Sequence, residues 1–267
     1  MAVTSYQTQA QLVLRSFVLS DLLTVYSSVI FSILMCKMVY NLSEMITFYC
    51  YKGYSNLSKS HQIEWNNRAI STVHSIFITA MSLYIAFWSD LFSGDQLSGL
   101  ITFRNSTLST CVLGVSVGYF LVDLAMIIWL YPSLGGMEYV VHHLFSLTAL
   151  TYAMLTGEGQ LYTFMVLISE ATTPSINLRW YLDVAGMKKT KAYIINGVII
   201  FLAWMVARIL LFMYIFCHMY LHYDQVREMH TCTLFLVLIV PSGLAIMNLM
   251  WFGKIIMGLK KTLAKRH

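Results

Sequence analysis

Apolar residues recur along the chain in runs of about twenty, separated by short polar stretches. A run of that length suits a helix crossing a hydrocarbon core of about 30 Å at about 1.5 Å per residue. Seven segments are predicted, at about 18–40, 68–89, 108–130, 136–155, 160–181, 192–218 and 231–253. Short alternating strands, the signature of a membrane barrel, are absent from the pattern. The expected fold is therefore all-α, a polytopic membrane protein. The fifth segment is the least regular, because Glu170, Pro174, Asn177 and Arg179 interrupt it. The mixed stretch 44–67 reads as a loop with at most a short amphipathic piece. Pro132 with Gly135-Gly136, and Gly157-Glu158-Gly159, predict tight turns after the third and fourth helices.

Composition agrees with the pattern. The 267 residues are 58% hydrophobic and 11% charged, with a mean hydropathy of +0.68; soluble domains carry about 25% charge. No polar stretch is long enough for a second folded unit. The chain divides into an N-terminal helix and loop (1–59), a membrane domain (60–255) and a basic tail (256–267). Residues 17–40 are too long for a cleaved signal and read as a signal anchor. The five cysteines lack disulfide or metal spacing.

Charge sets the orientation. Thirteen of the 17 Lys and Arg fall on one side, in the first connection, between helices five and six, and in the tail. The positive-inside rule puts that side, and the C-terminus, in the cytosol, with the N-terminus lumenal or outside. The net charge of +5 sits at membrane edges, so nucleic acid is not an expected partner. Of the three N-x-[ST] sites, Asn41, Asn56 and Asn105, this topology leaves only Asn105 on the lumenal side.

Polar side chains inside such segments are functional candidates by default. The adjacent pair His142-His143 is the clearest. Counting from the predicted helix ends, His74, His142, Asp123 and Glu170 lie about 6–15 Å from the cytosolic side. Asn177 and Asn248 lie about 4–6 Å in, and Arg208 stands apart at about 24 Å. Five helices thus bring polar groups into one half of the membrane, where they could surround a wet, cytosol-facing chamber with apolar walls. Such a chamber suits an amphiphile, so membrane lipid is the expected partner. Glu170, Thr173 and Asn177 share a helix face, and Pro174 predicts a kink that frees the Glu170 carbonyl. Neighbouring histidines project about 100° apart, so one is expected to face the chamber and the other a neighbouring helix. Asp123 is the expected partner for one of them.

His218 and His222 have ligand spacing, but a metal centre needs three or four convergent ligands, and no metal is assigned. No phosphate loop or nucleophile elbow is present. No cofactor is expected; acyl-CoA enters only as a co-substrate if acyl transfer occurs. A homo-oligomer is left open.

The ordered motifs Ile63-Glu64-Trp65-Asn66-Asn67-Arg68, Ser71-Thr72-Val73-His74-Ser75, His142-His143, Ser169-Glu170 through Pro174, Asn177-Leu178-Arg179-Trp180, Ile195-Asn196-Gly197 with Arg208, and Met247-Asn248 through Trp251 resemble the TLC-domain family. The resemblance covers about residues 60–255. It implies a multi-pass protein of the endoplasmic reticulum or related membranes, with a six-helix bundle, an added N-terminal helix and a lipid-sized chamber. It also implies a role in lipid homeostasis. In the ceramide synthases of that family, a histidine pair aligned with His142-His143 is associated with acyl transfer. Those enzymes follow the pair with several acids, whereas this chain keeps only Glu170. Two functions follow. One is a lipid acyltransferase with His142, His143, Glu170 and Asp123 catalytic and His74, Asn177, Asn248 and Arg208 lining the substrate. The other is a non-enzymatic lipid-binding, sensing or trafficking protein.

Overall fold

A computed structural model describes the backbone of residues 2–93 and 100–264, and side chains from Leu22 onward within those ranges except 262 and 263. Lys265 and Arg266 of the basic tail and the side chain of Arg15 lie outside the described residues. All seven apolar segments are helical. They form α1 (Ala2–Cys50), α2 (Lys59–Leu83), α3 (Thr107–Trp129), α4 (Met137–Thr156), α5 (Gln160–Leu167) continued by α6 (Thr173–Val184), α7 (Lys191–Trp204) continued by α8 (Leu211–Leu221), and α10 (Thr231–Ala264), with one short turn of helix, α9 (Tyr223–Val226), before the last. Five are long and apolar enough to cross a membrane: Leu22–Cys50, Lys59–Trp88, Thr107–Trp129, Lys191–Leu221 and Thr231–Lys261. The α4 helix falls outside that set because Glu138, His142 and His143 occupy its first two turns. The α5–α6 segment falls outside it because its helix is broken.

The helices overrun their apolar runs. The loop expected over 44–67 is mostly helix: α1 continues to Cys50, a 3-10 turn covers Tyr54–Asn56, and α2 begins at Lys59. Ser58 caps α2 by accepting from the His61 amide at 3.2 Å. Hydropathy marks only the part of a helix that lies in hydrocarbon. Beyond it these helices continue because their polar faces are paired: Asn66 donates to the Tyr54 hydroxyl at 2.8 Å, and Trp65 stacks on Tyr51. The last helix likewise runs past residue 253, to Ala264.

Packing closes a ring. Its order is α2, α3, α4, α10, α7–α8, α5–α6 and back to α2, with α1 outside against α3 and α2. The α1–α3 seam is built from small residues, Gly114 and Gly118 facing Ser28 and Ser32. A Cβ on Gly118 would stand 2.6 Å from that of Ser32, so the backbones approach as small-xxx-small helix pairs do in membranes. Ser32 donates to the Val115 carbonyl across this seam at 2.6 Å.

Two ring members change helical pitch midway. A 3-10 turn over Ile168–Thr172 joins α5 to α6, and a π turn over Met205–Leu210 joins α7 to α8. The first is the expected consequence of Pro174. The Glu170 carbonyl is not free, however: the Thr173 amide bonds to it. Tightening to an i+3 bond satisfies the acceptor that proline could not serve.

Candidate functional site

The two irregular turns face each other in the ring, and each carries a buried charge. Glu170 lies on the 3-10 turn and Arg208 on the π turn, with the guanidinium Nη2 3.7 Å from the carboxylate. Arg208 also donates to Thr172 Oγ1 at 3.0 Å and to Asn248 Oδ1 at 3.1 Å, and lies over the Trp204 ring. Thr173 donates to the other Glu170 oxygen at 2.8 Å. Arg208 is therefore not apart from the other polar groups, as counting from the apolar ends had it. With the longer helices, Arg208, Asn248 and Glu170 stand about 21–25 Å from the helix ends Lys191, Ala264 and Val184.

His142 joins this group. Its ring meets Trp251 at 5.6 Å, and Trp251 meets Trp204 at 6.2 Å, edge to face in both cases. Trp251 and Asn248 lie one turn apart on the same face of α10. Two buried polar atoms here have no hydrogen-bond partner among the described residues, His142 Nδ1 and Asn248 Nδ2.

His143 belongs elsewhere. Its Nδ1–H donates to the Tyr139 carbonyl at 2.8 Å, and its Nε2 meets Asp123 Oδ2 at 2.7 Å. A carbonyl can only accept, so Nδ1 carries the proton and Nε2 shares one with the carboxylate. No lone pair is left over. Asn67 donates to the other Asp123 oxygen at 2.7 Å. One layer along, His74 stacks on Tyr119 at 3.8 Å and meets Ser116 Oγ through Nε2 at 3.3 Å. The adjacent histidines thus divide. His143 ties α4 to α3 and α2, while His142 keeps an uncommitted nitrogen toward α10.

The remaining candidate is saturated. Asn177 donates to Ser71 Oγ, Thr72 Oγ1 and the Arg68 carbonyl, and its oxygen accepts from Arg68 at 3.0 Å. Arg68 in turn pairs with Glu64 at 2.7 Å. This third set lies in the α2–α6 seam, where its contacts join helices. Thr172 and Trp251 lie in the sequence motifs but carried no assigned role there, and Trp204 lies outside them. For Trp251 the signal was its i, i+3 spacing from Asn248. Among the described residues no three His, Cys, Asp or Glu converge on a point that could hold a metal.

A narrow apolar crevice with a cavity volume of about 50 Å³ opens between α4, α5 and α10. Ser146, Ala149, Val166, Leu167, Val240 and Leu244 line it. At the end remote from the basic residues, Thr233 donates to Glu158 Oε2. The other end reaches Ser146, Leu167 and Leu244, each about one turn from His142, Glu170 and Asn248 respectively. None of the eight candidate residues lines the crevice itself.

Comparison with known proteins agrees with this architecture. Residues 64–257 match the family model of the TLC domain. The chain is 30% identical over 219 residues to TLC domain-containing protein 4-B of Xenopus laevis, covering 80% of this chain and 81% of that one. It is 28% identical over 215 residues to TLC domain-containing protein 4 of Homo sapiens, covering 79% and 80%.

Proposed function

Because the chain belongs to the TLC-domain family, we propose that it is a lipid-homeostasis protein that seats a membrane lipid inside its ring. The head group lies against His142, Arg208 and Asn248, and one acyl chain lies in the crevice between α4, α5 and α10. The observation that carries this reading is the pair of partnerless atoms, His142 Nδ1 and Asn248 Nδ2. Leaving a buried polar atom unpaired costs about 1–3 kcal/mol, and a ligand's polar group supplies the missing bonds. The donors on offer, an amide N–H₂ beside a guanidinium, suit a carbonyl or phosphate oxygen. The apolar crevice one turn away suits the chain.

Native mass spectrometry of the purified protein tests this. A bound lipid is expected, and Ala149→Trp, which fills the crevice from a half-buried position, should release it. Equal lipid occupancy in the two proteins would refute the placement.

A second reading, acyl transfer, is favoured by the uncommitted nitrogen of His142. In it, His142 takes the proton of an amine or hydroxyl, or carries the acyl group after thiol leaves acyl-CoA. Asp123 acts through His143 as a positioning group, and Arg208 holds the carbonyl. A mass increment equal to one acyl group, present in wild type and absent from His142→Ala, would select this reading; turnover with no acyl donor would leave the binding protein.

The basic end is assigned to the cytosol of the endoplasmic reticulum or a related membrane. Cys50 and Cys232 are exposed at opposite ends. In sealed microsomes an impermeant maleimide should label Cys50 and spare Cys232, and the reverse result would invert the topology.

A further inference from the structure

His218 and His222, left aside by the lipid site, come together at the ring's other end. They are one helical turn apart, at the C-terminus of α8, and their rings stack 4.1 Å apart at 15°. Each ring has its Nδ1 occupied. His222 Nδ1–H donates to the His218 carbonyl at 3.0 Å, which fixes its proton there and leaves the Nε2 lone pair free. His218 Nδ1 meets the Tyr162 hydroxyl at 3.3 Å, on the buried side of the pair. With Nδ1–H donating to that phenol oxygen, Nε2 of His218 is free as well. Among the described residues, no hydrogen bond occupies either Nε2.

We propose that this pair is a two-point binding site for a divalent first-row transition-metal ion. Imidazole Nε2 with its Nδ1–H held by a carbonyl or hydroxyl is the usual orientation of a metal-bound histidine. Metal–nitrogen bonds of about 2.0–2.1 Å require both Nε2 lone pairs to converge on the ion, so the two rings turn from stacked to convergent when it binds. Two imidazolium rings at this separation would repel, whereas two neutral rings around one cation do not. No third His, Cys, Asp or Glu converges among the described residues, so water completes the coordination and the ion exchanges readily. Imidazole donors without carboxylate or thiolate favour Cu²⁺ over Ni²⁺ and Zn²⁺. The bound ion would clamp the end of α8, with Tyr162 of α5 as its orienting partner.

The test is a Cu²⁺ titration of the purified, chelator-treated protein carrying no histidine tag, read by electron paramagnetic resonance. One equivalent bound by two imidazole nitrogens is expected. His218→Gln and His222→Gln should each weaken binding by more than about tenfold and reduce the signal to one nitrogen. Tyr162→Phe should keep both nitrogens and weaken binding by up to about tenfold, as loss of an orienting partner does. His61→Ala, at the basic end, should change nothing. A wild-type spectrum with one nitrogen, or variants at both histidines that bind as wild type does, would overturn the proposal. Because His222 is half-buried and lies past the last residue of α8, its variant remains informative if His218→Gln fails to fold.

Discussion

Replacing Arg208 with Met should destabilise the protein by about 3–5 kcal/mol, the cost of stripping one partner from a buried ion pair. For a chain of this length that is a fall in melting temperature of roughly 6–20 °C. The size follows from what remains behind. Glu170 is left with one neutral donor, Thr173, and Asn248 Oδ1 loses the guanidinium that donates to it. The Arg208 and Glu170 side chains are almost wholly buried, at 6% and 11% exposure, so water cannot compensate. Glu170→Gln added to Arg208→Met removes the orphaned charge and should recover a good part of the loss. Thermal unfolding in detergent decides the matter. A single variant that melts with wild type would mean that the pair contributes nothing, and a double variant worse than the single would mean that Glu170 is not the charge at issue.

Asp123 yields the second large effect, with a built-in contrast. Asp123→Leu orphans the Asn67 amide and His143 Nε2 together, at about 1–3 kcal/mol each, so a loss of about 2–5 kcal/mol is expected. Asp123→Asn should cost far less, about 1 kcal/mol or under. Its oxygen accepts from Asn67, and its amide donates to the Nε2 lone pair of a neutral His143 whose other nitrogen serves Tyr139. Every bond of the trio survives without a charge. If leucine and asparagine were equally damaging in thermal unfolding, the carboxylate's charge would matter rather than its hydrogen bonds, and the trio as described would be wrong.

The bilayer makes the helices easy to read and their partners hard. A spanning segment must satisfy its own backbone in hydrocarbon, so the seven apolar runs translate into helices almost residue for residue. The helix ends do not, because interfacial residues such as Trp65 and Asn66 continue α1 and α2 through side-chain pairing that hydropathy ignores. That error propagated into depth. Arg208 shares the depth of Asn248 and Glu170 because α10 and α6 continue to Ala264 and Val184, past the apolar runs. The division of the histidine pair was half legible. Adjacent positions must diverge by about 100°, but nothing in the sequence said that Asp123 would take His143 and leave His142. Asn177 was the reverse case. It was legible as a polar group, but its partners on α2 lie more than 100 positions away in the chain, and only the fold reveals that they exhaust it. The crevice left no sequence signal, since its lining is mostly apolar and is drawn from three helices far apart in the chain.

Two neighbouring histidines do different work, and one paired measurement tests this most directly: melting temperature and bound-lipid content, determined together for His142→Ala and His143→Ala. His142→Ala should melt within a few degrees of wild type and lose its lipid. His143→Ala, which takes from buried Asp123 Oδ2 its 2.7 Å partner and unties α4 from α3, should melt well below wild type. A stable His143→Ala beside an unfolded His142→Ala, or a lipid complement untouched by His142→Ala, would contradict it.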